Sequence, residues 1–203
     1  MKHSLSFRLL FIIVACIAIA SGVYFYHHKE EKPIILATVL DHPRAINPFR
    51  LEEANQKSFT QENLKGHWTM LFFGFTSCPH LCPTTMTELN NMVRLLEKEK
   101  VKTVPQVIMI TVDPEKDTPA KMKEYASVFN PNFIGLSGDK GQIETMTREL
   151  GVVYLKVANS GNMFDHSGTI MLFNPNGELV ALFTAPHQAK VLAQDFETIV
   201  KKN

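Results

Sequence analysis

An apolar run that leads directly into a pair of cysteines is the feature that most constrains the fold of this chain. Residues 68–75 (WTMLFFGF) are nearly all apolar, which is typical of a strand buried on both faces of a sheet. Cys78 and Cys82 follow in a short loop, and Pro83 suits the first turn of a helix because that position needs no amide donor. In the predicted helix, apolar residues recur every three or four positions, at Met86, Leu89, Val93 and Leu96. The pattern predicts a buried strand, a cysteine loop and a helix, in that order.

The same alternation of strands and helices continues along the chain. Residues 104–112 (VPQVIMITV) are typical of a second buried strand. A helix is predicted to start at Thr118-Pro119, and Asp139 is predicted to cap another helix that stops at Gly151. The residues expected to face the core from these two helices are Met122, Tyr125, Phe129, Ile143, Met146 and Leu150.

The C-terminal part predicts a hairpin and a closing helix. Residues 152–157 have the pattern of a strand, and residues 168–173 and 178–184 flank the turn sequence NPNG. The last helix is predicted to begin near Pro186, with Val191, Leu192, Phe196 and Ile199 turned inward. Strands that alternate with helices and end in a hairpin indicate an α/β sandwich with a central mixed sheet flanked by helices.

The N-terminal segment differs from the rest of the chain because residues 9–26 contain no charged side chain. That length is close to the roughly 20 apolar residues that span a bilayer. We therefore predict a retained membrane anchor in residues 1–32, with one transmembrane helix at 9–26. An alternative is a lipoprotein signal that ends at Cys16, but the apolar run continues well beyond that residue. Export of the domain is favoured, although the basic residues on the two sides of the run nearly balance.

Composition narrows the function of the remaining chain. Residues 33–47 are rich in proline and indicate a linker or an edge strand, and residues 48–203 are long enough for one domain with its own core. The near balance of 21 basic and 20 acidic residues argues against a nucleic-acid partner. Three cysteines are too few for a disulfide-stapled scaffold, which points to reactive or metal-binding thiols.

Cys78 and Cys82 are the residues most suited to chemistry. Four positions apart at a helix start, their sulfurs can converge on one metal ion or close a disulfide, and two inert buried thiols are a further alternative. A helix N-terminus is expected to lower thiol pKa values and so to favour the thiolate. A redox pair of the thioredoxin type would have two intervening residues rather than three. Thiolates with one added imidazole suit copper better than zinc, which needs four ligands.

Three sequence blocks together resemble one known family. They are residues 73–85 (FGFTSCPHLCPTT), residues 111–119 (TVDPEKDTP) with Tyr125, and residues 165–167 (DHS). In this order they are similar to the SCO/SenC family of membrane-anchored copper chaperones, and the likeness extends from Pro48 to the C-terminus. The resemblance implies a thioredoxin-like domain behind a single-pass anchor. It also implies a copper site, for Cu(I), Cu(II) or both, formed by Cys78, Cys82 and His166.

The resemblance further implies a role in assembling the binuclear copper centre of cytochrome c oxidase. The expected partners are the copper-receiving subunit of that oxidase and a thiol reductant or upstream copper donor. The implied location is the bacterial inner membrane with the domain in the periplasm, or, in a eukaryote, the mitochondrial inner membrane facing the intermembrane space. Cys78 and Cys82 are predicted to be a redox-active pair, and no catalytic residue is predicted. The alternative function is a membrane-tethered thiol-disulfide oxidoreductase that reduces partner cysteines before metallation.

One position departs from the family pattern. The family usually has an acidic residue between the two cysteines, where this chain has His80. A neutral imidazole removes the negative charge beside the expected copper, so metal affinity or cysteine potential is expected to differ from that of typical members. His80 itself is a less favoured candidate ligand.

Overall fold

The computed structural model describes residues 13–15, 17–19, 21, 35–152, 154–156, 164–166 and 168–202. The chain divides into two compact units, Met1–Ile34 and Ile35–Asn203. In the first unit, the described residues 13–15, 17–19 and 21 are helical. The rest of the predicted anchor, including Cys16, lies outside the described residues. None of the helices in the described part of the chain is long and apolar enough to cross a membrane.

The described part of the second unit contains ten strands and four α-helices. The strands are β1 (Thr38–Arg44), β2 (Arg50–Glu52), β3 (Ser58–Thr60), β4 (Thr69–Gly74), β5 (Gln106–Thr111), β6 (Ile134–Leu136), β7 (Tyr154–Lys156), β8 (Phe164–His166), β9 (Ile170–Phe173) and β10 (Leu179–Phe183). The helices are α1 (Leu81–Lys98), α2 (Pro119–Phe129), α3 (Lys140–Leu150) and α4 (Ala189–Val200).

Six of these strands form one mixed sheet in the order β1-β10-β9-β4-β5-β6. β4, β5 and β6 are parallel, and each parallel pair is joined through a helix, as a crossover requires. β9 pairs antiparallel with β4, and β10 and β1 extend the antiparallel side. This arrangement confirms the predicted mixed sheet. β2 with β3 and β7 with β8 form two separate two-stranded ladders. The strand predicted at residues 152–157 is β7, but neither ladder was predicted.

The core forms where the apolar runs place it. Every residue of β4 is buried, and so is the predicted inner face of α1 with Met86, Leu89, Val93 and Leu96. α1 and α4 pack against each other, while α2 packs along β5 and β6. Trp68 meets Phe196 of α4 edge to face, with ring centroids 6.1 Å apart. The two predicted central strands are therefore covered by helices.

The helix ends follow local chemistry, with two shifts. The Thr118 and Asp139 side chains accept hydrogen bonds from backbone amides in the first turns of α2 and α3, as expected of capping residues. α1 begins at Leu81, before Pro83, because the amides of a helix's first turn have no partner within the helix and a proline there breaks no bond. Cys82 therefore lies in the helix rather than in the loop. α4 begins at Ala189, slightly after the predicted start.

The segment before the domain core forms the edge of the sheet. β1 pairs antiparallel with β10 and includes Pro43, which an edge strand tolerates because one side of it makes no ladder bonds. The buried Asp195 of α4 accepts hydrogen bonds from the amides of Leu36 and Ala37, just before β1. A carboxylate on the last helix thus holds the start of the first strand.

Candidate metal centre

The two cysteines meet where β4 turns into α1. The amide of Cys78 donates to the carbonyl oxygen of Phe75 at 3.2 Å, which curls the chain as it leaves the strand. The amide of Cys82 then donates to the Sγ atom of Cys78 at 3.3 Å. Both residues are thiols, with Cys82 fully buried and Cys78 half-buried. The local turn therefore places the two sulfurs at one helix start, as the spacing predicted.

Gly74, the last residue of β4, makes room for the buried sulfur. A Cβ atom at this position would lie 2.8 Å from the Sγ atom of Cys82, closer than such atoms approach in proteins. Only glycine lets the Cys82 sulfur rest against the end of the strand. Gly74 was not singled out from the sequence alone. An isolated glycine inside an apolar strand pattern is the signal that could have marked this close approach.

The environment of Cys82 favours its protonated form. A hydrogen bond with the Cys78 side chain and, after it, burial raise the pKa of the Cys82 thiol well above its usual range. They exceed the lowering effect of the hydrogen bond with the Phe75 backbone, so the expectation of a lowered thiol pKa is wrong for Cys82. A metal that binds here must displace the proton of a buried thiol.

Asp117 supports the loop that contains Cys78 through several hydrogen bonds. Its buried carboxylate accepts hydrogen bonds from the Thr76 amide at 2.8 Å and from the Thr111 hydroxyl at 3.0 Å, and it pairs with Lys121 at 3.1 Å. The Thr76 hydroxyl donates to it as well. The carboxylate therefore ties the chain just after β4 to the end of β5 and to α2. We assign Asp117 a structural role in holding the loop that bears Cys78.

Two hydroxyl groups near the pair have no hydrogen-bond partner among the described residues. The Oγ1 atom of Thr85 and the hydroxyl of Tyr125 are both buried without one. Burial raises the pKa of Tyr125, and electrostatic interactions with Cys82, Cys78 and Asp117 raise it further, so its hydroxyl lies within electrostatic reach of the pair. Thr85 follows Cys82 by one helical turn. Sequence reasoning gave Thr85 no part in the site.

His166 ends β8, where it pairs with Tyr154 of β7. Its imidazole lies outside the described residues. Gly168, two positions further on, packs against Leu81: a Cβ atom there would lie 3.0 Å from the Leu81 Cδ2 atom. The chain that follows His166 thus touches the residue beside Cys82. Within residues 35–152 and 168–202, no group of three His, Cys, Asp or Glu side chains is arranged to hold a metal ion.

His80, the departure from the family pattern, lies exposed at the start of α1. Its carbonyl oxygen accepts hydrogen bonds from the amide and the hydroxyl of Thr84. The backbone of His80 therefore contributes to the helix start while its side chain faces solvent.

The part of the chain that contains this site is similar to known proteins. The model of the SCO1/SenC family matches residues 38–201. The chain belongs to the SCO1/SenC family. An SCO2-like protein of Rickettsia prowazekii is 39% identical over 155 residues, which cover 74% of each chain.

Solved Sco structures share the fold. A copper-bound ScoI of Arabidopsis thaliana is 32% identical, with a TM-score of 0.72 over 77% of this chain and 98% of its own. A copper-bound ScoI of Bradyrhizobium japonicum is 38% identical, with a TM-score of 0.65 over 75% of this chain and 98% of its own. The mixed sheet flanked by helices is thus the thioredoxin-like fold of these proteins.

Proposed function

We propose that this chain binds copper and serves the maturation of the binuclear copper centre of cytochrome c oxidase. The observation that carries the proposal is the pair of adjacent thiols at the start of α1, one buried against Gly74 and one half-buried. The thiolates formed from such a pair are soft ligands, which suit Cu(I). Membership of the SCO1/SenC family and the copper-bound Sco structures support the same conclusion.

Cys78, Cys82 and His166 are the proposed ligands. Gly168 touches Leu81, and Gly168 lies only two positions after His166, a span of about 7 Å of chain at most. That short span is compatible with an imidazole that reaches the two sulfurs. One nitrogen added to two thiolates makes a site that accommodates Cu(I) and Cu(II).

The different burial of the two cysteines suggests how copper is loaded and released. Only the reduced pair binds copper, and binding displaces the proton held by Cys82. Cys78 is the more accessible ligand, so a partner's thiolate or imidazole replaces it first. Copper passes to the partner by stepwise ligand exchange, without release of the free ion.

We also propose that residues 1–32 anchor the domain to a membrane through the apolar run at 9–26. The domain would then face the bacterial periplasm, or the mitochondrial intermembrane space in a eukaryote. Tethering keeps the copper site beside a membrane-embedded oxidase. Carbonate extraction of membranes carrying the full chain tests the anchor, and recovery of the intact chain in the soluble fraction would refute it.

Anaerobic copper titration of residues 35–203 tests the ligand set. The wild type is expected to bind one copper ion, with thiolate-to-Cu(II) charge-transfer absorption. Cys78→Ser and His166→Ala should each lose tight binding of at least one copper oxidation state. His67→Ala is the control, because His67 is exposed and precedes β4 at the end opposite Gly74. If either ligand variant still binds one equivalent of copper with unchanged absorption, the proposed ligand set is wrong.

The second candidate is a thiol-disulfide oxidoreductase. Cys78 is half-buried and Cys82 is buried, so the Cys78 thiol can attack the disulfide of a partner. Cys82 can then resolve the mixed disulfide. This activity needs both cysteines but not His166. Reductase turnover on a disulfide-bonded partner peptide, measured with and without His166, tests this candidate: an oxidoreductase should turn over as wild type and equally as His166→Ala, and absence of turnover in the wild type would exclude it.

A further inference from the structure

The connection between β10 and α4 bonds to the chain that follows β8. The Nε2 atom of His187 lies 2.7 Å from the carbonyl oxygen of Gly168. Since a carbonyl oxygen can only accept, Nε2 carries the proton in this bond. His187 is half-buried, so solvent competes little for the same oxygen.

The same connection also bonds to the cysteine helix. The amide of Ala189, two residues after His187, donates to the Oε2 atom of Glu88 at 2.6 Å. Glu88 lies on α1, which also contains Cys82. The short segment from His187 to Ala189 therefore joins the cysteine helix to the chain that follows His166.

Gly168 is held from a second side by Leu81. It has a φ angle of +59° and a Cβ position 3.0 Å from the Leu81 side chain, so only glycine fits there without strain. Leu81 directly precedes Cys82, and Gly168 follows His166 by two residues. The position of Gly168 thus limits how far the end of β8 can lie from the residue beside Cys82.

The β8 strand needs such a support because it lies outside the main sheet. β7 and β8 pair only with each other in the described part of the chain. No ladder bond to the six-stranded sheet holds His166 in place there. The bond from His187 to Gly168 is two residues away from it.

We propose that His187 is a positioning residue of the copper site, which holds the His166 strand against the Cys82 helix through Gly168. The inference rests on the proposed copper function and deepens it. Loss of the His187 bond leaves both cysteines intact but releases the third ligand. The site then resembles one without His166.

The test compares His187→Leu, which removes the donor, with His187→Gln, which keeps an N–H at similar reach. We expect His187→Leu to bind Cu(II) about tenfold more weakly. Its charge-transfer absorption should shift toward that of His166→Ala, while His187→Gln restores both. A residue with only a general stabilising role would leave the absorption of the folded protein unchanged. His67→Leu, at an exposed position, is the matched control.

Gly168→Ala provides a second variant, because it disturbs the same contact from the Leu81 side. It should produce the same spectral shift. Amide hydrogen exchange of the metal-free protein gives a readout without copper: exchange at residues 168–170 should rise in His187→Leu and return toward wild type in His187→Gln.

Wild-type affinity, absorption and exchange in His187→Leu would overturn the inference while leaving the proposed ligands in place, provided that His166→Ala is impaired. Wild-type copper binding by His166→Ala would instead overturn the ligand set, and the inference with it. The two failures are therefore distinguishable in one set of measurements.

Discussion

Cys78 and Cys82 lie four positions apart in sequence but in unlike environments. Cys82 is fully buried, and its hydrogen bond with Cys78 and its burial raise its thiol pKa. Cys78 is half-buried at the surface end of the pair. Reactions of the reduced pair should therefore begin at Cys78.

Alkylation of the reduced, metal-free protein by iodoacetamide tests this difference. Cys78 should be modified at least about tenfold faster than Cys82, because each unit of raised pKa lowers the thiolate fraction tenfold. Peptide mass spectrometry over time measures both rates. The protein unfolded in guanidinium is the control, where the two rates should converge. Equal rates in the folded protein would contradict the burial argument.

His187 is expected to make the stability of the protein depend on pH. Burial lowers its pKa below the value of about 6.5 that it has in an unfolded chain, although Gly168 and Glu88 act in the opposite direction. The unfolded chain therefore binds the proton more readily, and stability present above pH 6.5 is lost as the pH falls through the folded value.

The excess unfolding free energy of wild type over His187→Gln should accordingly shrink between pH 7.5 and pH 5. Urea denaturation of both proteins across this range measures the difference. A constant difference would show that His187 does not titrate differently in the folded state.

At the scale of elements, one buried carboxylate connects two strand ends and a helix. Asp117 accepts from Thr76 after β4 and from Thr111 at the end of β5, and it pairs with Lys121 of α2. Its removal leaves buried donors without an acceptor.

Asp117→Ala should lower the free energy of unfolding by about 3 kcal/mol, since it breaks a buried hydrogen-bonded charge cluster. Glu115→Ala is the matched control, because Glu115 lies two residues away and its pair with Lys140 is exposed. The control should change stability by less than about 1 kcal/mol. Guanidinium denaturation compares the two, and a similar small loss in both variants would refute the role assigned to Asp117.

The elements themselves were largely predictable because their signals are local. The nearly continuous apolar runs predicted β4 and β5, and helical periodicity predicted the buried face of α1. The NPNG sequence predicted the β9–β10 hairpin. β6 and the β2–β3 ladder were missed because strands of three residues carry almost no periodicity. The start of α1 was misplaced because Pro83 is tolerated anywhere in a first turn.

At the scale of the whole molecule, the C-terminal helix closes the domain onto its first strand. The Oδ2 atom of the buried Asp195 accepts from the amides of Leu36 at 2.9 Å and Ala37 at 2.8 Å, across 159 residues of sequence in the first case. In the described part of the chain, β1 has a strand neighbour on one side only, so this contact supports its N-terminal end.

Asp195→Ala should therefore lower the unfolding free energy by about 2 kcal/mol and release β1 before the rest of the sheet. Denaturation gives the first quantity, and amide exchange in residues 38–44 gives the second. Gln194→Ala, at the exposed neighbouring position of α4, is the control and should change neither. Unchanged exchange in β1 of the Asp195 variant would contradict the contact's role.

The sequence alone determined the order of the longer elements, the N-caps of α2 and α3 and the place of the cysteine pair between β4 and α1, because each depends on residues close together in the chain. The family resemblance added His166 to the expected site. The tertiary structure decided which thiol is buried, what Asp117 holds and how Gly168 lies between Leu81 and His187. Those outcomes depend on contacts between segments that are distant in sequence, such as the bond between Thr76 and Asp117, which lie 41 positions apart. Local sequence patterns do not predict such contacts.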